Sequence, residues 1–431
     1  MNLWPKNRHR GVVVVAVTAG ALALGLAACG SGSSGTAAGA SSQVAASAKQ
    51  TIVFATAGLG NEAAATQKAV NGFEKLHSNI KVSLLELSSN ATVAQQQEEH
   101  YFIAGASTPD VLYTDVTWPS TFARSGWIAN LSSFHPDTSA FFSGQVATGE
   151  YNGGVYAVPW DINAEGLFYR TDLIKTPPTS LSQLVSEAKS AVAKDPSLKE
   201  GLAFEGAEYE GAVTAFQSFG GQIGLSDLAN IDTPANVSAL NFMYQAINTD
   251  KIAPAAVTGW QESNVQAAWL SGQTAFALNW PYLFALSEAK TGSSVVGKTG
   301  WIPVPSATPQ SSLGGDDLAI NAKSTHQAAA WEFIQYLSSV GAQDSKAILA
   351  GDPPSLKAAY NSALYSAAPY FKQEQAVYAV VTPRPVTPVY PEISAQLQPM
   401  ISSVLSGGSS ASAALSTAAP TVAQIYQTAK S

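Results

Sequence analysis

Apolar and polar positions along this chain repeat with two periods, one of about two residues and one between three and four. Ile80, Val82 and Leu84 alternate with Lys81 and Ser83, which predicts a strand with one buried face. Thr51 to Thr56 is a run rich in β-formers that ends in the turn Ala57-Gly58-Leu59-Gly60. Val111-Leu112-Tyr113, entered through Thr108-Pro109, and Thr274 to Leu278 read as further buried strands. Between them the longer period takes over. Ala65, Ala69, Phe73 and Leu76 fall on one helix face, and Ala330, Phe333, Ile334 and Leu337 on another. Ser180-Leu181-Ser182-Gln183 predicts a capping box, with Leu181, Leu184, Val185 and Ala188 on the core side of the helix it opens. Strands alternating with helices over this length predict open α/β sheets, not a sandwich or a bundle. No internal repeat is visible.

In such sheets, ligands bind beyond the carboxyl ends of the strands. The first strand runs into Asn61 and Glu62, the Val111 strand into Asp115 and Trp118, and the Thr274 strand into Asn279-Trp280-Pro281-Tyr282. Three strand ends thus deliver planar polar groups beside aromatic rings. A pyranose asks for this mixture, since its hydroxyls need donors and acceptors while its C–H face packs on an aromatic ring. The plainer alternative, that each Trp is a core residue, stays open at this point.

The first residues read differently. Lys6, Arg8 and Arg10 precede an uncharged stretch from Gly11 to Ala28, and Leu26-Ala27-Ala28 lead to Cys29, the sole cysteine of 431 residues. A basic start, an apolar run and small residues before a cut are the pattern of a secretory signal. Cysteine after Leu-Ala-Ala resembles the bacterial lipobox, whose thiol is acylated and becomes the new N-terminus. An uncleaved membrane helix is the alternative, at the short end of a span. With no second cysteine, Cys29 has no disulfide partner. Gly30 to Ala48 is almost wholly Gly, Ser, Ala and Thr, the composition of a flexible tether reaching roughly 25 Å. Removing the three basic residues of the leader takes the net charge from −8 to about −11. Such an acidic surface repels phosphate backbones, which argues against nucleic acid as a partner. About 380 residues remain for the body, enough for two sizeable cores. Only 12% of residues are charged while nine are Trp and fifteen Tyr, a balance suited to a neutral polar ligand.

From Thr51 onward the chain resembles the extracellular solute-binding proteins of family 1, the sugar-binding lipoproteins of bacterial ABC importers, in their maltose/trehalose branch. The blocks that carry the resemblance are Pro109 to Trp118 with Phe122-Ala123 and Gly126-Trp127; Gly154 to Asn163 with Leu167 to Leu173; Tyr209-Glu210-Gly211; Asn279 to Tyr282; Gly314-Gly315; and Pro383 to Pro388. It implies an α/β periplasmic-binding-protein type II fold: two lobes, a hinge and a ligand cleft between the lobes. The expected division is a leader at 1–28, a tether at 29–48, one lobe from 49–160 plus 316–353, and a second from 161–315 plus 354–431. Crossing segments are expected near Val158 to Asn163, Gly314 and Pro353.

The resemblance also implies ligand contacts at Asn61 or Glu62 and at Asp115, Asn163, Glu262, Trp280, Tyr282, Gly315 and Arg384. Trp280 would be the stacking ring and Tyr282 its hydrogen-bonding neighbour. Many relatives carry an aromatic after the two glycines, whereas here Asp316-Asp317 follows. Asp316 would accept from vicinal hydroxyls or point to solvent. Equally open are Asp115 as an Asx cap, Arg384 as a surface ion-pair member, Glu262 as a helix-start acid, and Trp260 and Trp269 as packing residues. His77, His100, His135 and His326 lack metal-ligand spacing and no complete phosphate loop is present, so neither a metal nor a cofactor is expected. The implied partners are a sugar, a permease with its cytoplasmic ATPase, and the outer face of the cytoplasmic membrane through lipid on Cys29, the protein itself being a monomer. A secreted glycoside hydrolase using Asp115 and Glu262 is the rival in another class, and binding of a different polar solute is a third possibility.

Overall fold

The computed structural model describes residues 49–429 apart from 308, 309 and 379. The expected leader, Cys29 and the tether lie outside the described residues. The strands, in chain order, are β1 (Gln50–Thr56), β2 (Ile80–Glu86), β3 (Val111–Asp115), β4 (Glu150–Tyr151), β5 (Gly154–Val155), β6 (Ala157–Ala164), β7 (Gly166–Arg170), β8 (Glu200–Ala203), β9 (Thr274–Asn279), β10 (Thr299–Ile302), β11 (Ser311–Ile320) and β12 (Val381–Thr382). One sheet runs β12-β11-β3-β1-β2, with β6 also paired to β11. A second runs β10-β7-β9-β8, and β4 and β5 pair alone. In the first sheet, β1 is parallel to β2 and to β3, while β11 returns antiparallel beside β3. In the second, β7 is antiparallel to both its neighbours and β8 is parallel to β9.

The two hydrophobic periods produce these layers. Phe73 from the Glu62–Leu76 helix and Phe333 and Ile334 from the Gln327–Leu337 helix pack onto Ile52, Phe54 and Val111 of the first sheet. The Phe54 ring meets Phe333 and Trp160 edge-on at 5.5 and 5.7 Å between centroids. Fully burying each such ring contributes about 1.5–3 kcal/mol. The second sheet buries Phe276 and Leu278 against Phe216, Leu240 and Leu397. Asp110, inside the Pro109 to Trp118 block, is structural: its carboxylate accepts from Val53 N at 2.8 Å and Ser324 Oγ at 2.6 Å, tying β1 to the chain that follows β11.

The expected elements are present with small shifts. Thr274–Leu278 extends to Asn279, and every residue of that strand is buried. Ser180 caps its helix through Gln183 N at 3.2 Å. The return half of the capping box is displaced, because Gln183 Oε1 accepts from Thr179 N at 2.9 Å, one residue early. Leu184 and Ala188 are buried, but Leu181 and Val185 are half-buried at the edge of the core.

The segments expected to cross between lobes lie side by side. β6 pairs antiparallel with β11 from Ala157–Ala319 to Ala164–Leu313, with a register break between Asp316 and Asp317. Ile162 N donates to Pro353 O at 3.1 Å, bringing in the third segment. One residue beyond β6 the chain enters β7 of the second sheet.

Candidate functional site

At the end of β9, Asn279 Oδ1 accepts from Trp280 N at 2.7 Å and turns the chain, leaving the Trp280 indole half-buried. The ring lies on Gly314. A Cβ at that glycine would come within 2.6 Å of the indole. Gly315 next to it has φ +108° and lies so close to β6 that a Cβ would meet Asp161 O at 2.6 Å. The glycine pair therefore has two separate steric causes, one admitting a ring and one a backbone. Trp280 also hydrogen-bonds to Glu205, two residues past the end of β8.

Trp280 is part of the wall of a cavity between the sheets, together with Glu62, Asp115, Asn163, Glu262, Tyr282, Gly315, Asp316 and Arg384. Nine of the ten positions anticipated from sequence therefore meet in one place. Asn61 does not: it is an exposed residue at the helix start, while Glu62 turns its carboxylate back onto Leu59 N–H and faces the cavity. Trp118, the aromatic at the end of β3, is 3% exposed and packs with Phe122 in the core, away from this wall. Trp269 is likewise fully buried, its Nε1 donating to Ser287 Oγ at 2.8 Å, and Trp260 packs between core clusters.

One corner of the cavity is ionic. Arg384 is buried, not a surface residue, and donates to Asp115 Oδ2 at 2.9 Å and Oδ1 at 3.1 Å. Its other terminal nitrogen reaches Glu210 Oε1 at 2.8 Å. Asp115 is also the Asx cap, accepting from Thr117 N at 2.9 Å and Thr117 Oγ1 at 2.6 Å. Glu210 is held from behind by Tyr390 OH at 2.5 Å and by Ser394 Oγ. Burial opposes the charge on Arg384, but Asp115 and Glu210 outweigh it and keep the guanidinium protonated.

Elsewhere the wall is acidic without a direct counter-ion. Burial, and then Asp352, push Glu262 up to about 7 against the opposing hydrogen bond from Tyr282. Glu205 is pushed well above the carboxylate range by burial and by Glu262 and Glu165. Glu62 is raised too, by burial and Asp352. Asp316 lines the cavity, takes the Tyr113 hydroxyl, and is raised by burial and by Asp161. Behind this wall, Lys346 pairs with Asp161 and with Asp352, the latter at 3.0 Å, and sits 4.0 Å over the Trp160 ring. Asn163 gives its amide N–H to Asp161 Oδ1 at 3.1 Å, so its buried carbonyl oxygen is left without a partner. Among the described residues no group of His, Cys, Asp and Glu is arranged to hold a metal ion, and no helix is long and apolar enough to cross a membrane.

Sequence patterning missed Glu205, Tyr209, Tyr113 and Glu210 as cavity residues. The strand-end rule applied to β8 would have found Glu205. Glu210 fell in the Tyr209-Glu210-Gly211 block, but nothing local tied it to the arginine it binds, 174 residues away. The cavity holds about 110 Å³, well below the roughly 300–1,000 Å³ typical of sites for drug-sized ligands. A disaccharide would enter only if the walls part.

A sequence profile of the bacterial extracellular solute-binding proteins matches residues 57–344. The chain belongs to that family. A probable ABC transporter-binding protein of Deinococcus radiodurans is 30% identical over 399 residues, covering 87% of this chain and 93% of that one. Among solved structures, maltose-bound MalE3 of T. maritima superposes with TM-score 0.80 at 29% identity, covering 86% of this chain and 99% of that chain. The GacH receptor of Streptomyces glaucescens matches in fold with TM-score 0.79 at 24% identity, covering 88% and 99%. The architecture is thus the type II periplasmic-binding-protein fold, two α/β lobes joined by a hinge with the ligand cleft between them. As a member of this family the chain is an extracellular solute-binding protein, and these relatives are binding proteins.

Proposed function

We propose that the protein captures an α-glucoside of the maltose or trehalose type by hinge closure and hands it unaltered to an ABC permease driven by its ATPase. The lobes in this proposal are 49–160 plus 316–353 and 161–315 plus 354–431. Adjacency of β6 and β11 at both crossings supports that division. The observation that carries the proposal is the Trp280 ring, laid on Gly314 beside carboxylates and an unpartnered Asn163 carbonyl in an interlobe cavity. The ring face takes the sugar C–H surface, while Asn163, Glu62, Glu262 and Asp316 take hydroxyls. Each lobe supplies part of this set, so ligand favours the closed form and shifts that population. A hydroxyl in the wrong place leaves buried groups unpaired, which supplies selectivity.

The protein works as a monomer anchored by lipid on Cys29, with the tether letting the body turn toward the permease. Titration of intrinsic Trp fluorescence with maltose, trehalose and related α-glucosides tests the proposal. A saturable change is expected, and silence toward every saccharide at millimolar concentration would overturn it. Palmitate labelling of the wild type and its absence in Cys29→Ser would establish the anchor.

A further inference from the structure

We propose that the preferred ligand is a basic saccharide, an amino sugar whose ammonium sits among Glu62, Glu205 and Glu262. This rests on the cavity being a saccharide site and narrows the class of saccharide. Six carboxylates line the cavity, those of Glu62, Asp115, Glu205, Glu210, Glu262 and Asp316, and among the described lining residues Arg384 is the sole cation. Arg384 is already committed, since Asp115 and Glu210 share its terminal nitrogens. Lys346 stands behind the wall, paired with Asp161 and Asp352, and its charge also acts on Glu62 and Asp316 but not on Glu205 or Glu262 among its main partners. Glu62, Glu205 and Glu262 come from three separate elements, yet all three line this one cavity together with Tyr282.

Glu205 supplies the second observation. It is 1% exposed, its carboxylate takes Tyr209 OH on Oε2 and a hydrogen bond from Trp280, and its Oε1 is buried with no partner of its own. A sugar hydroxyl would fill that lone pair but leave the charge of the group uncompensated. An ammonium does both, offering three donors and a positive charge to converging acceptors. The faces of Trp280 and Tyr282, which also line the cavity, add cation–π attraction. The raised affinity for protons of Glu205 and Glu262 has the same origin, for a proton is the cation these groups take when no other is present.

The test is calorimetry on the intact protein at pH 7.5, comparing maltose and trehalose with their 2-amino-2-deoxy and 6-amino-6-deoxy counterparts. At least one amine should bind about 10-fold more tightly than its parent, one charge-assisted contact's worth. That advantage should shrink as the pH falls toward 5 and the facing carboxylates (Glu62, Glu205, Glu262 and Asp316, with Glu165 and Asp352 behind them) take protons. Glu205→Gln should narrow the ratio of amine to parent affinity, a readout that a general loss of folding does not move. If the neutral parents bind as tightly as every amine, or bind more tightly as the pH falls, the basic-ligand inference is wrong and the saccharide site stands. If no saccharide of either kind binds, the saccharide reading itself fails and takes this inference with it.

Discussion

Two parts of one cavity wall are satisfied to different degrees. Around Arg384 all four oxygens of Asp115 and Glu210 have donors, from Arg384, Thr117, Tyr390 and Ser394. On the other part, the carboxylates of Glu62, Glu205 and Glu262 line the cavity with Tyr282 and form no ion pair among the described residues, Lys346 acting on Glu62 only at a distance, and Glu205 keeps a buried oxygen without a partner. A buried ion network whose carboxylates are all paired resists change, even with Arg384 Nε left without a partner, because removing one member strands the others in low dielectric. An unsaturated one is held in place by the fold and answers to what enters. The comparison assigns stability to the first part and ligand response to the second.

Breaking the saturated corner should have the largest effect. Arg384→Met leaves Asp115 and Glu210 buried and unpaired, and should cost about 3–5 kcal/mol of stability in ligand-free thermal or denaturant unfolding. A loss under about 1 kcal/mol would show that water already screens that corner. Next comes the ring. Trp280→Ala should weaken saccharide binding by about 10- to 100-fold, the worth of a stacked aromatic face. Asp316→Ala should weaken it less, since that carboxylate also serves Tyr113, and calorimetric affinities in the opposite order would refute this ranking.

The acidic interior sets a pH dependence. Burial raises Glu165 and Asp317 to about 8 and Glu262 to about 7, each above its unfolded value. The native state therefore holds more protons than the unfolded chain between about pH 4.5 and 8. Stability from these groups is complete below that window and is lost as the pH rises through it. Unfolding free energy of the ligand-free protein should fall steadily from pH 5 to pH 8.5, by at least several kcal/mol if all three groups titrate this way. Glu165→Gln, retaining the Ser218 and Thr214 contacts, should flatten the slope; an unchanged slope would remove Glu165 from this account. The smallest effect is expected for Thr117→Ala, which removes one of two Thr117 donors to Asp115 but leaves Arg384 in place. It should cost about 1 kcal/mol or less by the same unfolding measurement.

Much of the wall was legible from residues 51 to 56, 111 to 115 and 274 to 282, because alternation fixes where a strand ends and the ends face the cleft. Glu62 and Trp280 follow from that rule alone. Trp118 does not: it occupies the same kind of position as Trp280 but packs under Phe122, a difference that lies in what covers each strand end. Arg384 was placed by resemblance, while its burial and its hold on Glu210 came from contacts 174 residues apart.

By itself, the amino-acid order determined the alternation of sheets and helices, the glycine pair at 314 and 315, and a body supplied with aromatic and amide groups. These are local properties, set by side-chain period and backbone sterics within a few residues. Which acids meet a base and which stand uncompensated was decided only when distant strand ends were folded into one cavity. Charge compensation depends on distance and burial in three dimensions, and neither is a property of neighbours along the chain.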